Sequence, residues 1–285
     1  MITPQDSSTA EWSRLLVEIP PFRPVALRLM KLVEESTPTL APIVSLLRSD
    51  AALTTEVLQL ANSPLFACRV EIKNILQALS LLGLERIRAL IVTTALKSLV
   101  DKKRSVSTQS CWRHNLATAL ICRWLAVGAG LPREECYVAG LLHDIGCMAM
   151  LRAFPEYERA MLLAASKGQD LLAAERNLLG FDHCEAGSWI LSQREFSTEL
   201  QIVAAQHENS ATDPNRPNGM ACLVGTSSRL ADSIGLSVFP SPSHAALPEI
   251  VSSCSERARK QILVEFPDIA EWVVMKVNGI EQDLL

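Results

Sequence analysis

The stretch from Gly140 to Gly146, which reads GLLHDIG, constrains the fold of this chain more than any other segment. The apolar residues before His143 predict a buried helix that begins near Arg133 and carries His143 and Asp144 in its last turn. Gly146 is then expected to end this helix in the left-handed conformation. A buried His–Asp pair needs a partner, either a bound cation or a structural hydrogen bond between the two side chains. The stretch alone leaves both possibilities open.

Composition indicates a globular chain that is rich in helix. Its 285 residues could form one large domain or two smaller ones. Hydrophobic residues make up 48% of the chain and charged residues 20%, and glycine occupies only 12 positions. These values are typical of a folded protein and not of a disordered one. The net charge of -4 gives no electrostatic reason to expect nucleic acid or an anionic membrane as a partner.

The cysteines and the N-terminus predict a cytoplasmic location. No apolar stretch is long enough to span a bilayer, and the first residues lack the basic-then-apolar layout of a signal peptide. The eight cysteines are scattered without a C-x-x-C pair, and most of them lie in apolar helical patterns. This usage favours reduced thiols in the core of a cytoplasmic protein.

Helical patterns with short breaks run along the whole chain, and no alternating strand pattern interrupts them, which predicts an all-α protein. A charged, polar joint over residues 101–105 marks the expected boundary between two helical halves. We therefore expect four parts, over residues 1–12 (a loose start), 13–105 (a first helical half), 106–240 (a second helical half) and 241–285 (C-terminal helices). The last part is expected to contain two helices, over about residues 249–265 and 268–277.

Four of the five histidines lie on predicted helices and face the apolar sides of those helices. They are His114, His143, His183 and His207. The helix around His114 is apolar on nearly every side, so this histidine is expected to be buried. Asp182 and Glu185 have the spacing of a capping box, which places His183 in the first turn of a helix. The fifth histidine, His244, lies in a loop of Ser and Pro and is expected to be exposed.

One metal centre would satisfy all four buried imidazoles together with Asp144 and Asp232. Each histidine taken singly could instead be a core residue with its own hydrogen-bond acceptor. Imidazole and carboxylate ligands suit divalent iron, manganese or zinc, and the absence of a thiolate cluster argues against a structural zinc. Six ligands exceed what one tetrahedral ion uses, so a pair of ions bridged by a carboxylate stands beside a single ion as an option.

The order of these residues resembles that of the HD superfamily of metal-dependent phosphohydrolases. The resemblance is carried by His114, His143, Asp144, His183, His207 and Asp232. In metal-binding members of that superfamily the Asp of the His-Asp pair bridges two ions. The resemblance therefore implies that Asp144 is shared by two metals. His183 and His207 would complete the ligands of one ion, and the other three residues would complete the ligands of the second.

A longer resemblance covers about residues 13–210 and is to the HDOD domain. It is carried by Ile19-Pro20-Pro21, Asp50-Ala51-Ala52-Leu53, Leu60-Ala61-Asn62-Ser63-Pro64, Ala78-Leu79-Ser80-Leu81-Leu82-Gly83, Trp112-Arg113-His114, the GLLHDIG stretch and Gly180-Phe181-Asp182-His183-x-x-x-Gly187. HDOD proteins are all-helical, HD-related modules of bacterial signal transduction, and no general enzymatic activity is attributed to them. They usually work with receiver, cyclic-nucleotide or cyclic-di-GMP turnover domains. Since no such motif accompanies this domain, a signalling partner in trans is expected.

One departure from the phosphodiesterases of the HD superfamily bears on catalysis. Those enzymes often carry a Lys after His-Asp-x-Gly, and its charge helps to hold the substrate phosphate. Cys147 stands at that place here, and a neutral thiol cannot supply the charge, although Arg152 in the following turn could. No residue is therefore assigned a catalytic role.

Two functions follow from these patterns. The favoured one is a non-catalytic regulatory module that acts through protein–protein interaction and carries an HD-like site for a metal or another ligand. The alternative is a metal-dependent phosphohydrolase or phosphodiesterase with a dinuclear site, in which the ions activate the attacking water. A di-iron oxygenase fits the same ligands, but no feature of the sequence supports it.

Overall fold

In the computed structural model of the protein, the residues described are 12, 15, 40–49, 51–63, 70–97, 105–210, 219–242, 245–252 and 254–284. These residues form helices, turns and short irregular connections with no strand among them, which confirms the all-α prediction. The chain divides into two compact units, Met1–Pro20 with Val100–Glu271, and Pro21–Leu99 with Trp272–Leu285. None of the helices in the described ranges combines the length and the apolar character that a membrane span requires.

The unit that contains residues 21–99 has four helices in its described N-terminal part. They are α1 (Leu40–Arg48), α2 (Ala51–Asn62), α3 (Ile75–Leu82) and α4 (Leu84–Lys97). The side chain of Asn74 caps α3 by accepting a hydrogen bond from the backbone N–H of Gln77. Gly83, with a φ of 77°, ends the same helix, as its sequence predicts.

The unit that contains residues 100–271 carries the predicted site. Its helices are α5 (Val106–Ala129), α6 (Arg133–Leu142), α7 (Ile145–Ala153), α8 (Tyr157–Ser166), α9 (Leu171–Leu179), α10 (His183–Gln193), α11 (Thr198–Ser210), α12 (Met220–Ser233), α13 (Leu247–Ile250) and the part of α14 (Glu256–Leu284) up to Glu271. Helix α5 packs against α6 and α12, and α10 packs against α7 and α11. The middle of α5 is buried on nearly all sides, as its apolar sequence predicts, and His114 is 3% exposed.

The predicted role of Gly146 as a left-handed helix end is wrong. Helix α6 stops at Leu142, His143 and Asp144 form a turn, and Gly146 is the second residue of α7. A Cβ atom on Gly146 would lie 2.0 Å from the carbonyl oxygen of His183 and 2.6 Å from the backbone nitrogen of Gly187. Glycine is required there because the backbones of α7 and α10 cross without room for a side chain.

The prediction of two C-terminal helices over residues 249–265 and 268–277 is also wrong. Helix α13 is only four residues long, and α14 continues through Pro267 without a break. Buried apolar residues at helical spacing continue on both sides of this proline, from Ile262 and Phe266 to Val273 and Val277. Their burial offsets the cost of an internal proline, which is about 3 kcal/mol.

Three predicted features fall wholly or largely on residues outside the described ranges. These features are the loose start as far as residue 11, residues 101–104 of the charged joint, and the exposed His244. Trp12 is described, and it is buried with its ring 4.5 Å from that of Phe181 and 5.2 Å from that of Trp189.

Candidate metal centre

Three helices and one turn bring five of the predicted ligands together. Helix α5 supplies His114, the turn between α6 and α7 supplies His143 and Asp144, α10 begins with His183, and α11 supplies His207. All five side chains are buried. The capping box predicted at the start of α10 is present, and it fixes His183 as the first residue of the helix.

The Asp144 carboxylate lies at the middle of the cluster, with two imidazoles near each oxygen. The Nε2 atoms of His183 and His207 are both 3.4 Å from Oδ1. The Nε2 atoms of His143 and His114 are 3.8 Å and 4.0 Å from Oδ2. We call the first pair the Oδ1 side and the second pair the Oδ2 side. A carboxylate that joins two such pairs is placed as a bridging ligand would be.

The other ring nitrogen of each histidine, Nδ1, has its own acceptor at 2.7 to 3.0 Å. The acceptors are the carbonyl of Leu236 for His114, the carbonyl of Gly140 for His143, the carboxylate of Glu175 for His183 and the carbonyl of Ala204 for His207. Because these oxygens only accept, each Nδ1 carries a proton, and each neutral ring has its lone pair at Nε2. Histidines that bind metals are held in this way.

Two buried atoms at the centre of the cluster have no hydrogen-bond partner among the described residues. They are Nε2 of His143 and Oδ1 of Asp144. An unsatisfied buried polar atom costs about 1–3 kcal/mol. A carboxylate oxygen and an imidazole lone pair are both acceptors, so neither can satisfy the other without a proton or a cation between them. The residues of this cluster therefore fit a divalent metal ion.

The pKa of His143 on the Oδ2 side is shifted in the opposite direction from those of His183 and His207 on the Oδ1 side. Burial lowers the pKa of His143 to about 3, although the charge of Asp144 opposes this shift. Burial acts in the same direction on His183 and His207, but there the negative charges of Cys184 and Asp144 prevail and raise the pKa well above its usual value. Burial favours the protonated form of Asp144, yet the surrounding imidazoles hold its pKa well below the usual range.

The buried Glu175 supports His183, and sequence reasoning missed it. Its carboxylate accepts hydrogen bonds from the ring of His183 and, at 2.9 Å, from the backbone N–H of that residue. The hydroxyl of Tyr157 donates a third, at 2.5 Å. These hydrogen bonds and the charge of His183 lower the pKa of Glu175 despite its burial. A signal existed, because Glu175 lies four residues from both Leu171 and Leu179 on the inner stripe of α9.

Two further groups on the Oδ1 side were also missed. The Sγ atom of Cys184 lies 3.9 Å from Nδ1 and 4.0 Å from Nε2 of His207. Ligand atoms of His183, Cys184 and His207 all lie within 4.8 Å of one another. Oε1 of Glu208 is 3.8 Å from Nε2 of His207 and 4.0 Å from Nε2 of His183. The sequence does not indicate these approaches, because neighbouring residues on a helix do not normally face the same partner.

Asp232, the sixth predicted ligand, lies on the other edge of the His114 ring. Its Oδ1 atom is 3.4 Å from Nδ1 of His114, whereas Nε2 of that ring is 3.1 Å from the hydroxyl of Ser228. The structure thus gathers four of the six predicted residues around the carboxylate of a fifth, Asp144, and places Asp232 at the wall of the adjoining cavity.

That cavity has a volume of about 290 Å³ and reaches the metal-binding residues. Its wall includes four carboxylates and, among the described residues, one permanently charged cation. The carboxylates belong to Asp144, Glu175, Glu208 and Asp232, and the cation is Arg229. Cys147 also lies on the wall, and the hydroxyl of Tyr157 is 3.7 Å from its sulfur. Arg152 is not among the described residues that form the wall.

Comparison with known proteins identifies relatives of this fold. The family model of the HDOD domain matches residues 19–210. An uncharacterized protein of Treponema pallidum (strain Nichols) is 28% identical over 167 residues, which make up 56% of this chain and 30% of that protein. The chain therefore spans about a third of the length of this curated relative.

Solved structures show the same fold. An HDOD domain protein of unknown function from Geobacter sulfurreducens has a TM-score of 0.78 at 23% identity, over 95% of this chain and 96% of that one. A protein from Shewanella amazonensis SB2B, provisionally named a phosphohydrolase, has a TM-score of 0.73 at 22% identity, over 96% and 98% of the two chains. At these identities the likeness establishes the fold and nothing beyond it.

Proposed function

This chain belongs to the HDOD domain family, which is associated with signal transduction, and on that premise we propose that it is a non-catalytic regulatory module with a metal centre. The module acts on a partner protein in trans. The metals are divalent ions, iron, manganese or zinc, bound on the two sides of Asp144, by His183 and His207 on the Oδ1 side and by His114 and His143 on the Oδ2 side.

The observation that carries the metal centre is the common orientation of four imidazoles. Each ring has its Nδ1 atom on an acceptor and its Nε2 atom within 4.0 Å of the same carboxylate. A divalent cation satisfies the lone pairs and the carboxylate together where the rings are neutral. A bound ion would supply the positive charge that holds α5, α10, α11 and the His143–Asp144 turn in one arrangement, so its binding free energy stabilises that arrangement.

The lining of the cavity favours a non-catalytic role. Apart from any bound ion, the wall sets four carboxylates against a single guanidinium that could pair with a phosphate ester. Cys147, at the position where phosphodiesterases of the superfamily often carry Lys, is buried and donates no charge to a phosphate.

Exposed apolar side chains in the other unit support a protein partner. Val70, Leu76 and Leu81 each expose more than half of their surface, and the two leucines lie on the short helix α3. Exposed apolar side chains of this kind are available to a partner protein. They and the metal centre belong to different units, so each can be changed without altering the residues of the other.

A metal-dependent phosphohydrolase is the second candidate, and one observation favours it. The cavity opens directly onto Asp144 and His183, and Arg229 on its wall has no ion-pair partner among the described residues. Two divalent ions would supply Lewis-acid charge that reverses the sign of the wall. Arg229 would then be placed to bind a phosphate oxygen.

Replacing the bridging carboxylate tests both candidates. We expect the purified protein to bind a divalent ion, and Asp144→Asn to lower that affinity at least about a hundred-fold, since a direct ligand matters at least as much as its supporting groups. Neither protein should hydrolyse a generic phosphodiester with iron, manganese or zinc restored. Asp170→Asn is the matched control, because that carboxylate caps α9 at the surface and contributes nothing to the centre.

The outcomes separate the alternatives. Turnover by the metal-loaded protein that is lost in Asp144→Asn and kept in Asp170→Asn establishes the phosphohydrolase. Absence of any metal in the purified protein and after reconstitution contradicts the metal centre, and the four histidines are then core polar residues.

A further inference from the structure

We propose that Cys184 is a direct thiolate ligand of the ion on the Oδ1 side. His183, His207 and Asp144 are its other ligands, so that four protein groups complete the coordination of this ion. The inference rests on the metal centre proposed above and deepens it, because it assigns a class of metal and a structural role to one of the two ions.

The distances among the two imidazole nitrogens and the carboxylate oxygen match a small tetrahedral site. Bonds of about 2.0–2.2 Å to nitrogen and oxygen and about 2.3 Å to sulfur put tetrahedral ligand atoms roughly 3.3–3.6 Å apart. Nε2 of His183 and Nε2 of His207 are 3.4 Å apart, and each is 3.4 Å from Oδ1 of Asp144. Sγ of Cys184 is 4.0 Å from Nε2 of His207, and the ligand atoms of His183, Cys184 and His207 all lie within 4.8 Å of one another.

The charges of the four groups match a divalent ion. Two neutral imidazoles, one carboxylate and one thiolate have a total charge of about -2, which a divalent cation neutralises without help from solvent. Cys184 is 4% exposed, and the two imidazoles and Asp144 are buried as well. Because the four ligands balance the charge of the ion, its binding leaves none of these ligands with an uncompensated charge away from water.

A thiolate ligand changes which metal is preferred. Sulfur ligands favour zinc, and cobalt as its spectroscopic substitute, over manganese, whereas imidazole and carboxylate alone discriminate less. Four protein ligands also fill a tetrahedral ion, and filled sites are structural whereas catalytic sites keep one position open. The Oδ1 side therefore holds a structural ion of the zinc class, which agrees with a module that does not turn over substrate.

Two other groups compete for the same position. Glu208 approaches both imidazoles at 3.8 and 4.0 Å, but its side chain is 43% exposed, and its carboxylate is a hard ligand. Cys111 and Cys147 form a second group with Asp144 that could supply sulfur instead. The experiment must therefore identify both the chemical type of the ligand and the residue that supplies it.

Cobalt substitution of the full chain tests the inference. Cobalt bound by a thiolate shows an intense near-ultraviolet charge-transfer absorption that imidazole and carboxylate ligands do not produce. We expect this absorption in the wild-type protein and in Cys147→Ala, and its loss in Cys184→Ser, which still binds cobalt through the remaining ligands. Zinc affinity should fall about 10–100-fold in Cys184→Ser, while manganese affinity changes little.

Each outcome bears on one claim. Cobalt bound without the charge-transfer absorption overturns the role of Cys184 and leaves the metal centre standing. Absorption that survives in Cys184→Ser also overturns it, because the sulfur then comes from Cys111 or Cys147. Failure to bind any metal refutes the metal centre itself. If Cys184→Ser does not fold, X-ray absorption of the wild-type zinc protein decides, since a zinc–sulfur distance of about 2.3 Å is expected and its absence contradicts the proposal.

Discussion

The two sides of the Asp144 carboxylate use the same residue types and are built differently. On the Oδ1 side, His183 and His207 are 3.4 Å from the carboxylate, and a buried glutamate supports one of them. On the Oδ2 side, the imidazoles are 3.8 and 4.0 Å away, and backbone carbonyls hold both of their Nδ1 atoms. The pKa values are raised on the first side, and that of His143 falls to about 3 on the second.

This difference shows that a list of ligands does not determine how strongly a site binds. A carboxylate on Nδ1 makes Nε2 more basic and a better ligand, whereas a backbone carbonyl does so less. On the Oδ2 side, Nε2 of His114 already contacts the hydroxyl of Ser228, which competes for its lone pair. We therefore expect the Oδ1 side to bind the first ion and to hold it more tightly.

The largest effect is expected from Gly146→Ala, which would force α7 away from α10 and so move Asp144 away from His183. The new Cβ would meet the carbonyl oxygen of His183 and the backbone nitrogen of Gly187, neither of which can rotate away. The free energy of unfolding of the metal-free protein should fall by at least about 3 kcal/mol, measured by denaturant titration.

Gly279→Ala is the control for that substitution. Gly279 lies inside α14 with nothing within 4 Å of a new Cβ, so alanine there should raise the free energy of unfolding by about 0.5–1 kcal/mol. Equal stability of Gly146→Ala and the wild type would show that α7 and α10 do not cross at this distance.

The second expected effect is a pH dependence of metal binding on the Oδ1 side. His183 and His207 have raised pKa values, so a metal ion must displace their protons, and its affinity rises with pH until those pKa values are passed. Each displaced proton contributes about tenfold per pH unit. His143, with a pKa near 3, is already neutral and contributes no slope.

Zinc titrations between about pH 6 and about pH 8 measure this slope. His207→Ala should reduce it by one proton, and His143→Ala should leave it unchanged. An equal reduction of the slope in both variants would mean that His143 also releases a proton when zinc binds. The two sides would then not differ in how they bind protons.

A smaller effect is expected from Glu175→Gln, which tests whether the charge of Glu175 strengthens metal binding on the Oδ1 side. The amide oxygen can still accept from Nδ1 of His183, but the negative charge is lost. Metal affinity on the Oδ1 side should fall about 10–100-fold in calorimetric titrations, with the Oδ2 side unaffected. Glu185→Gln is the matched control, because that carboxylate accepts from the backbone N–H of Asp182 and, among the described residues, from no imidazole. An equal loss of affinity in both variants would contradict the supporting role of Glu175.

The sequence predicted those features of the site that depend on local pattern. Apolar periodicity placed His114 on a buried helix, and the capping box placed His183 at the start of α10. The same reasoning failed at Gly146, where glycine is needed for contact with another helix and not for the end of its own. It failed at Pro267 because burial on both sides of the proline outweighs a local preference.

The order of residues along the chain thus determined the all-helical class and which imidazoles face the interior, because both follow from spacing within single helices. Only the tertiary structure decided that Glu175 holds His183, that Cys184 lies beside His207 and that Asp232 is on the far edge of the His114 ring. These contacts depend on how helices pack, and distances of a few ångströms between residues far apart in sequence leave no periodic pattern to read.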